Sequence, residues 1–451
     1  NKGVLTPEVI RTLIAECRKR NIPTAVDPKK ANFFAYQGVN LFKPNLKEIR
    51  DSAPFPVRPE PESLKQASDF LRKSLQNRLT MITLSEKGLF LDADTGLSRI
   101  FPTIARNVAD VSGAGDTVIS IAALGLAAGL DPGIDHMSAM KIIDEIREKG
   151  GKIFSFESYC GGLIAPESDN NAWNYKFTWA PRNVVLAGQG GAAKFIHEGT
   201  YKYIPYQKLF QRTDALEVTG YGNFETYANR DSLKYRSVYG LEDISTLLRG
   251  TIRRAGYSRA WDAFVQLGMT DDSYTLDHSE QMSYRDYVSL FLPYSSPENT
   301  EKQFCAQVGI AQTDDIWRKF AELDLFSNTK KVALKNATPA QILEKILTEN
   351  WTLEPTDKDM IVMYHKFGYE LGGQKKQIDS QMVCIGQDQI YTAMAKTVGL
   401  PVAMAALRIL NKQITQPGVQ LPISKEVYLP LLAELETYGI HFTETEKPYI
   451  G

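Results

Sequence analysis

Residues 360–386, MIVMYHKFGYELGGQKKQIDSQMVCIG, commit their part of the chain to one long β-hairpin. Runs rich in Met, Val, Ile, Tyr and Phe flank Gly372-Gly373, and paired glycines supply the positive φ angles that a tight turn between antiparallel strands requires. The neighbouring segments fit a sheet around it. GGKIFSFESYCGGL and STLLRGTIRRAG are strand-like with Gly-rich ends, SRAWDAFVQLGM is a helix, and 278–355 reads as mostly helical and polar. QDQIYTAMAKTVGLPVAMAALRIL reads as two helices split at Gly399-Leu400-Pro401. Residues 131–451 are therefore expected to form an α+β domain with a mixed sheet and a helical insertion at about 260–355.

The first 130 residues have a different texture. Thr6-Pro7-Glu8 starts a helix, with a hydroxyl cap, Pro at the first helical position and an acid near the positive end of the dipole; the helix runs to about Arg20. IPTAVDPKK and GVNLFKPNLKEI are short strands, ESLKQASDFLRKSLQN is a helix, and LTMITLSEKGLFLDAD is a strand, a Lys-Gly turn and a second strand. Strands alternating with helices predict an α/β unit with a parallel, doubly wound sheet over residues 1–130. No internal repeat, low-complexity segment or Ser/Gly linker near residue 131 separates the two textures.

Bulk properties exclude several functions. The 451 residues carry a net charge of −1, so no strong field for nucleic acid or an anionic membrane is implied. Cys17, Cys160, Cys305 and Cys384 are far apart, which argues against a disulfide scaffold or zinc ribbon and fits a reducing cytoplasm. No H-E-x-x-H occurs, and no metal cage of protein ligands is expected. The longest apolar run, Val118 to Leu130, is too short to span a bilayer, and no signal peptide is visible. The chain opens on Asn1 and reads as beginning inside something larger.

DVSGAGDTVIS, residues 110–120, places Gly113, Ala114 and Gly115 at a helix N-terminus with Asp116 in its first turn. Unpaired N–H groups there favour an anion, and small residues let a phosphate approach the backbone. A carboxylate at that spot makes sense as the base that takes a proton from an attacking hydroxyl, or else as a helix-start acid. The segment DVSGAGDTVISIAALGLAAG, with DPKKANFFAYQGVNLFKPNLKEI and TLSEKGLFL, resembles the ribokinase (PfkB) family of sugar kinases, and within it the kinases of heptose 7-phosphate. The resemblance implies ATP and magnesium, with Asp116 as base and Gly113, Ala114 and Gly115 as the anion hole. It also implies Asn45 and Glu48 as an N-x-x-E pair organising magnesium and phosphate, and Thr83, Ser85 and Gly88 lining the nucleotide site. It covers the C-terminal half of that family, without the half that supplies most sugar contacts and the lid.

GLDPGIDHMSAMKIIDEIREKGGKIFSFESYCGGLIAPE, YKFTWAPRNVVLAG, YANRDSLKYRSVYG and TLLRGTIRRAGY resemble the glutamate-forming saccharopine dehydrogenase family. The resemblance implies reversible hydride transfer between NADP(H) and a secondary amine joining glutamate to a lysine-derived aldehyde. It also implies a saccharopine site at Arg230, Thr251, Ile252 and Arg253. Saccharopine carries three carboxylates, and Arg grips carboxylates in a bidentate way. Cys160 lacks a His near it in sequence and reads as a small packing residue close to the chemistry. His136 could act as a base but reads as a structural helix-start residue. The family's Gly-rich dinucleotide turn is absent; AGQGGAAKF, residues 187–195, comes nearest but lies in a helix-like segment.

The two likenesses share the letters Gly129-Leu130-Asp131, and each lacks part of its family's length at this point. The sequence therefore reads as a chimera-like join: a partial ribokinase-like sheet followed by a saccharopine dehydrogenase-like substrate domain. Three functions follow: a dehydrogenase part with a foreign N-terminal piece, a kinase-like module replacing the Rossmann unit, or a non-catalytic binding protein. Expected partners are small molecules, namely saccharopine or glutamate and a sugar phosphate, with no nucleic acid and no membrane; a homodimer is left open.

Overall fold

The computed structural model describes residues 7–19, 24–28, 32–84, 88–93, 98–101, 133–187, 189, 191–293, 299–415 and 421–450. The chain divides into two compact units, residues 1–131 with 405–421 and residues 132–404 with 422–451. Each has its own sheet.

In the first unit, α1 (Pro7–Lys19) starts at its proline and buries Ile10 and Ile14, four residues apart on one face. β1 (Ala25–Val26), β2 (Leu41–Phe42), α2 (Leu46–Ser52), α3 (Pro61–Leu75), β3 (Leu79–Thr83), β4 (Leu89–Ala93) and β5 (Ser98–Phe101) follow. The sheet order is β1-β2-β3-β4-β5. β1, β2 and β3 are parallel, as the alternation of strand and helix requires. β4 and β5 add an antiparallel edge, because the five residues between β3 and β4 are too few for the crossover that a parallel pair needs. α3 buries Leu64, Ala67, Leu71 and Leu75 at three- and four-residue spacings, in one core with Phe42, Ile82 and Phe90.

The second unit begins with α4 (Ile134–Glu148) and β6 (Lys152–Ile164), continues through α5 (Pro181–Val185), β7 (Ala193–His197), β8 (Thr200–Ile204), β9 (Thr213–Val218), β10 (Gly222–Ala228) and α6 (Tyr235–Tyr239), and reaches β11 (Thr246–Arg254). The helical insertion comes next: α7 (Tyr257–Leu267), α8 (Tyr284–Ser289), α9 (Thr300–Val308), α10 (Asp315–Glu322) and α11 (Pro339–Trp351). The hairpin β12 (Asp359–Leu371) and β13 (Gln374–Ile385), α12 (Ala393–Leu410), of which residues 393–404 belong to this unit, α13 (Lys425–Thr437) and β14 (Thr443–Pro448) complete the fold. Gly372 and Gly373 turn the hairpin with φ of 57° and 77°.

The nine-stranded sheet runs β14-β13-β12-β6-β11-β10-β9, with β7 and β8 attached beside β11. Its centre is β6, antiparallel to β12 and parallel to β11. Gly250 on β11 is required for close approach: a Cβ there would lie 2.6 Å from the Tyr159 ring and 2.8 Å from the Tyr227 carbonyl oxygen. The insertion packs around an aromatic core, in which Tyr257 stacks on Trp261 at 5.6 Å and Trp173 on Phe264 at 5.7 Å.

Two local expectations fail. α12 is one helix rather than two, with Pro401 inside it. A mid-helix proline removes one N–H and bends a helix more readily than it ends it. Here the Asp359 carboxylate also anchors the first turn by accepting from the N–H groups of Ala393 and Met394. The described residues among 187–195 are not helical: they lie between α5 and β7, and 193–195 belong to β7. No described helix is long and apolar enough to cross a membrane.

Candidate carboxylate-binding site

One side of β6 and β11, together with the first turn of α4, gathers the polar groups. Arg249 pairs in register with Ser158, and Thr251 with Cys160. α4 opens at Gly133 with no side-chain cap and carries Asp135 in its first turn. Asp135 forms an ion pair with Arg249, whose guanidinium lies 4.1 Å from the centre of the Tyr235 ring. Burial alone would raise the Asp135 carboxyl, but the positive charge of Arg249 holds it below its ordinary value. His136 Nδ1 lies 2.8 Å from Tyr239 Oη, a helix-start histidine with a structural partner.

Arg253 is the unusual group. It is 3% exposed, its Nη1 donates to the Ile252 carbonyl at 3.0 Å, and it lies 5.2 Å from the Tyr175 ring and 5.3 Å from the Tyr257 ring. Its Nε has no hydrogen-bond partner and no carboxylate forms an ion pair with it among the described residues. Glu225 stands opposite Arg253 in register on β10. Its carboxylate is instead spent on the N–H groups of Gly256 and Ser258, where it closes the N-terminus of α7. A buried guanidinium left without a counter-charge is a demand for an anion.

Of the other residues read from the sequence, Thr251 is half-buried beside Cys160. Ile252 faces the other way into the core, so only its main chain can serve a ligand. Arg230 lies two residues beyond β10 with φ of 37°, and its carbonyl accepts from Lys194 N–H at 2.6 Å. A non-glycine residue in that region is strained and is held by surrounding contacts. The next contact, Asn229 N–H to the Arg249 carbonyl at 2.7 Å, ties this turn to β11.

Sequence reasoning passed over Asp135 and misjudged Cys160. Asp135 sits in the same GID turn as His136, and its first-turn position was the available signal. Cys160 is not a packing residue: its side chain is exposed. The surrounding protein mass, joined by the charge of Asp135, nevertheless pushes its thiol up to about 12.

In the first unit, Asn45 caps α2. Its side chain accepts from Glu48 N–H at 2.8 Å, and Glu48 Oε2 accepts from Asn45 N–H at 2.8 Å. Thr83 bridges to Asn45 at the end of β3, and Gly88 enters β4 with φ of 99°. Three of the residues read as magnesium or nucleotide contacts thus share one corner, but the Asn45–Glu48 pair is engaged in closing a helix end. Ser85, Gly113, Ala114, Gly115 and Asp116 lie outside the described residues. For a dinucleotide, residues 187–195 do not fit, since the Gly-rich turn of such sites leads from strand to helix and this one leads from helix to strand.

The model of the saccharopine dehydrogenase C-terminal domain matches residues 129–440. The chain belongs to the saccharopine dehydrogenase family. The pfkB family carbohydrate kinase model matches residues 3–133, so the two matches meet at 129–133, where the sequence changes texture. Over 357 residues the family member is 34% identical to saccharopine dehydrogenase [NADP(+), L-glutamate-forming] of Saccharomyces cerevisiae, covering 77% of each chain. It spans only 37% of the longer alpha-aminoadipic semialdehyde synthase of Bos taurus. It is also similar to the bifunctional protein HldE of Geotalea uraniireducens, 42% identical over 221 residues, covering 46% of this chain and 44% of that protein. The solved apo saccharopine dehydrogenase (L-Glu forming) of Saccharomyces cerevisiae aligns with a TM-score of 0.67 at 24% identity, covering 97% of this chain and 92% of that one. This saccharopine dehydrogenase-family chain therefore joins a pfkB-like segment to a saccharopine dehydrogenase C-terminal domain.

Proposed function

We propose that the second unit binds saccharopine, or glutamate more weakly, and that the Arg253 guanidinium receives one of the ligand's carboxylates. The supporting observation is the buried guanidinium without an anionic partner among the described residues, its nearest carboxylate in register being diverted to α7. Arg230, Thr251 and the main chain of Ile252 complete the contacts, and Asp135, already neutralised by Arg249, borders them. The chain by itself transfers no hydride in this reading, because residues 187–195, the run nearest to a dinucleotide turn, lead from helix to strand and do not seat a nicotinamide dinucleotide. NADP is the cofactor of the chemistry such a site serves, and the compartment is the cytoplasm.

The test is calorimetry with saccharopine on the wild type, Arg253→Ala and Arg230→Ala, alongside NADPH absorbance with aminoadipate semialdehyde and glutamate. Loss of one charge-assisted contact should weaken binding by about 10- to 150-fold, or roughly 1.5–3 kcal/mol. Arg253→Lys should not restore it, since an ammonium cannot reproduce the planar fork. Equal affinities would remove the assignment, and NADPH turnover would show a dinucleotide site elsewhere. A second reading gives the first unit a nucleotide-binding role, supported by the shared corner of Asn45, Glu48 and Thr83. ATP binding measured by the same calorimetry supports it. Phosphorylation of a heptose phosphate is not expected, because the match covers less than half of the HldE chain.

A further inference from the structure

We infer that His365 is a positioning residue for this site: its two ring nitrogens fasten the strand that carries Cys160 to the helix that carries Asp135. The inference rests on the proposed ligand site for its affinity arm alone. His365 lies on β12 at the centre of the sheet and is wholly buried. Nε2 is 2.8 Å from Ser138 Oγ on α4, and Nδ1 is 3.1 Å from Ser158 Oγ on β6.

The direction of these bonds follows from counting protons. Ser138 has one hydroxyl hydrogen and donates it to the Ile134 carbonyl at 2.7 Å, so towards His365 it accepts. Nε2 therefore carries the imidazole hydrogen. Burial pushes the imidazole down to about 4, against the pull of Asp135, so the ring is neutral near pH 7 and Nδ1 accepts from Ser158. The chain reads Ser158 to His365 to Ser138 to Ile134, and it ends on the peptide unit that precedes Asp135.

Register supplies the second fastening. His365, Ser158 and Arg249 form one row across β12, β6 and β11. The row grips α4 twice, His365 at Ser138 and Arg249 at Asp135, three residues apart on one helix face. Met137, Ile142, Ile143 and Ile146 hold the helix against the sheet, and further polar bonds tie it along its length: His136 to Tyr239, Tyr428 to Asp144, and Arg147 to the Tyr239 and Gly240 carbonyls. The two attachments of the row add directional holds at the first turn itself, and these set the place of the Asp135 carboxylate, whose charge reaches Cys160. The imidazole plane is itself fixed, stacked on Phe442 at 5.7 Å and 9°.

The experiment uses the full chain with Ser138→Ala, His365→Phe and His365→Gln. One readout is the alkylation rate of Cys160 by iodoacetamide at pH 8, separated from Cys17, Cys305 and Cys384 by peptide mapping. The other is saccharopine calorimetry. Both Ser138→Ala and His365→Phe leave Asp135 held by Arg249 alone, so its carboxylate shifts and the smaller of the two effects that raise the Cys160 thiol weakens, burial being the larger; since one pKa unit is tenfold in thiolate, a change of a few tenths of a unit should raise the rate about 2-fold or more. Saccharopine affinity should fall by about 10-fold in both, and His365→Gln, which keeps a donor for Ser138, should bring both readouts back most of the way to the wild type. General loosening would also speed the buried Cys305 and Cys384, so acceleration counts only where those two thiols react no faster than in the wild type. A folded Ser138→Ala with unchanged alkylation overturns the inference. If the wild type binds no saccharopine, the ligand reading falls and the alkylation arm decides alone: acceleration upholds the clamp and no change removes it.

Discussion

Acidification from pH 7 to pH 5 should destabilise the second unit through His365 in particular. Burial lowers the folded-state value to about 4, whereas an exposed histidine titrates near 6.5. The unfolded chain therefore binds more protons between these values, so stability present above about pH 6.5 is lost as the pH falls and the loss is complete below about 4. The full separation corresponds to about 3 kcal/mol, of which about 2 kcal/mol is lost by pH 5. The facing charges are accounted for: Asp135 favours protonation, and Arg249 and His136 oppose it. The assay is urea unfolding followed by tryptophan fluorescence. All five tryptophans, Trp173, Trp179, Trp261, Trp317 and Trp351, belong to the second unit, so the signal reports that unit alone. His365→Phe should lose most of this pH 7-to-5 slope even if it starts less stable. A slope equal to that of the wild type would refute the argument, since the remaining titrating groups are common to both proteins.

Two further outcomes follow from packing. Gly250→Ala should destabilise the second unit by about 1–3 kcal/mol in the same unfolding assay, because its methyl would meet the Tyr159 ring and a backbone oxygen that cannot retreat. Asn45→Ala should lower the stability of the first unit by about 1 kcal/mol, seen by circular dichroism and not by tryptophan fluorescence, because α2 loses one half of its capping box.

Much of the scaffold was legible locally because the information is local. Gly372-Gly373 fixed the long hairpin, Pro7 the start of α1, and N-x-x-E a helix cap, since each depends on residues within a few positions. The change of texture near Asp131 coincides with the meeting of two family matches. Pro401 was misread for a related reason: the bend it imposes is local, but whether the helix resumes beyond it is not.

The site itself was only half legible. Arginine chemistry pointed to Arg253, but nothing in the order of residues says that Glu225, its neighbour across the strands, is turned towards the N–H groups of Gly256 and Ser258. Nor does it say that Asp135 meets Arg249 across 114 positions, or that His365 meets Ser138 across 227. The sequence by itself determined the strands, the caps, the turns and the kinds of group available. The tertiary structure decided which charges cancel and which stay unpaired. That depends on the register of β10, β11, β6 and β12, where a shift of one residue sends every side chain to the opposite face.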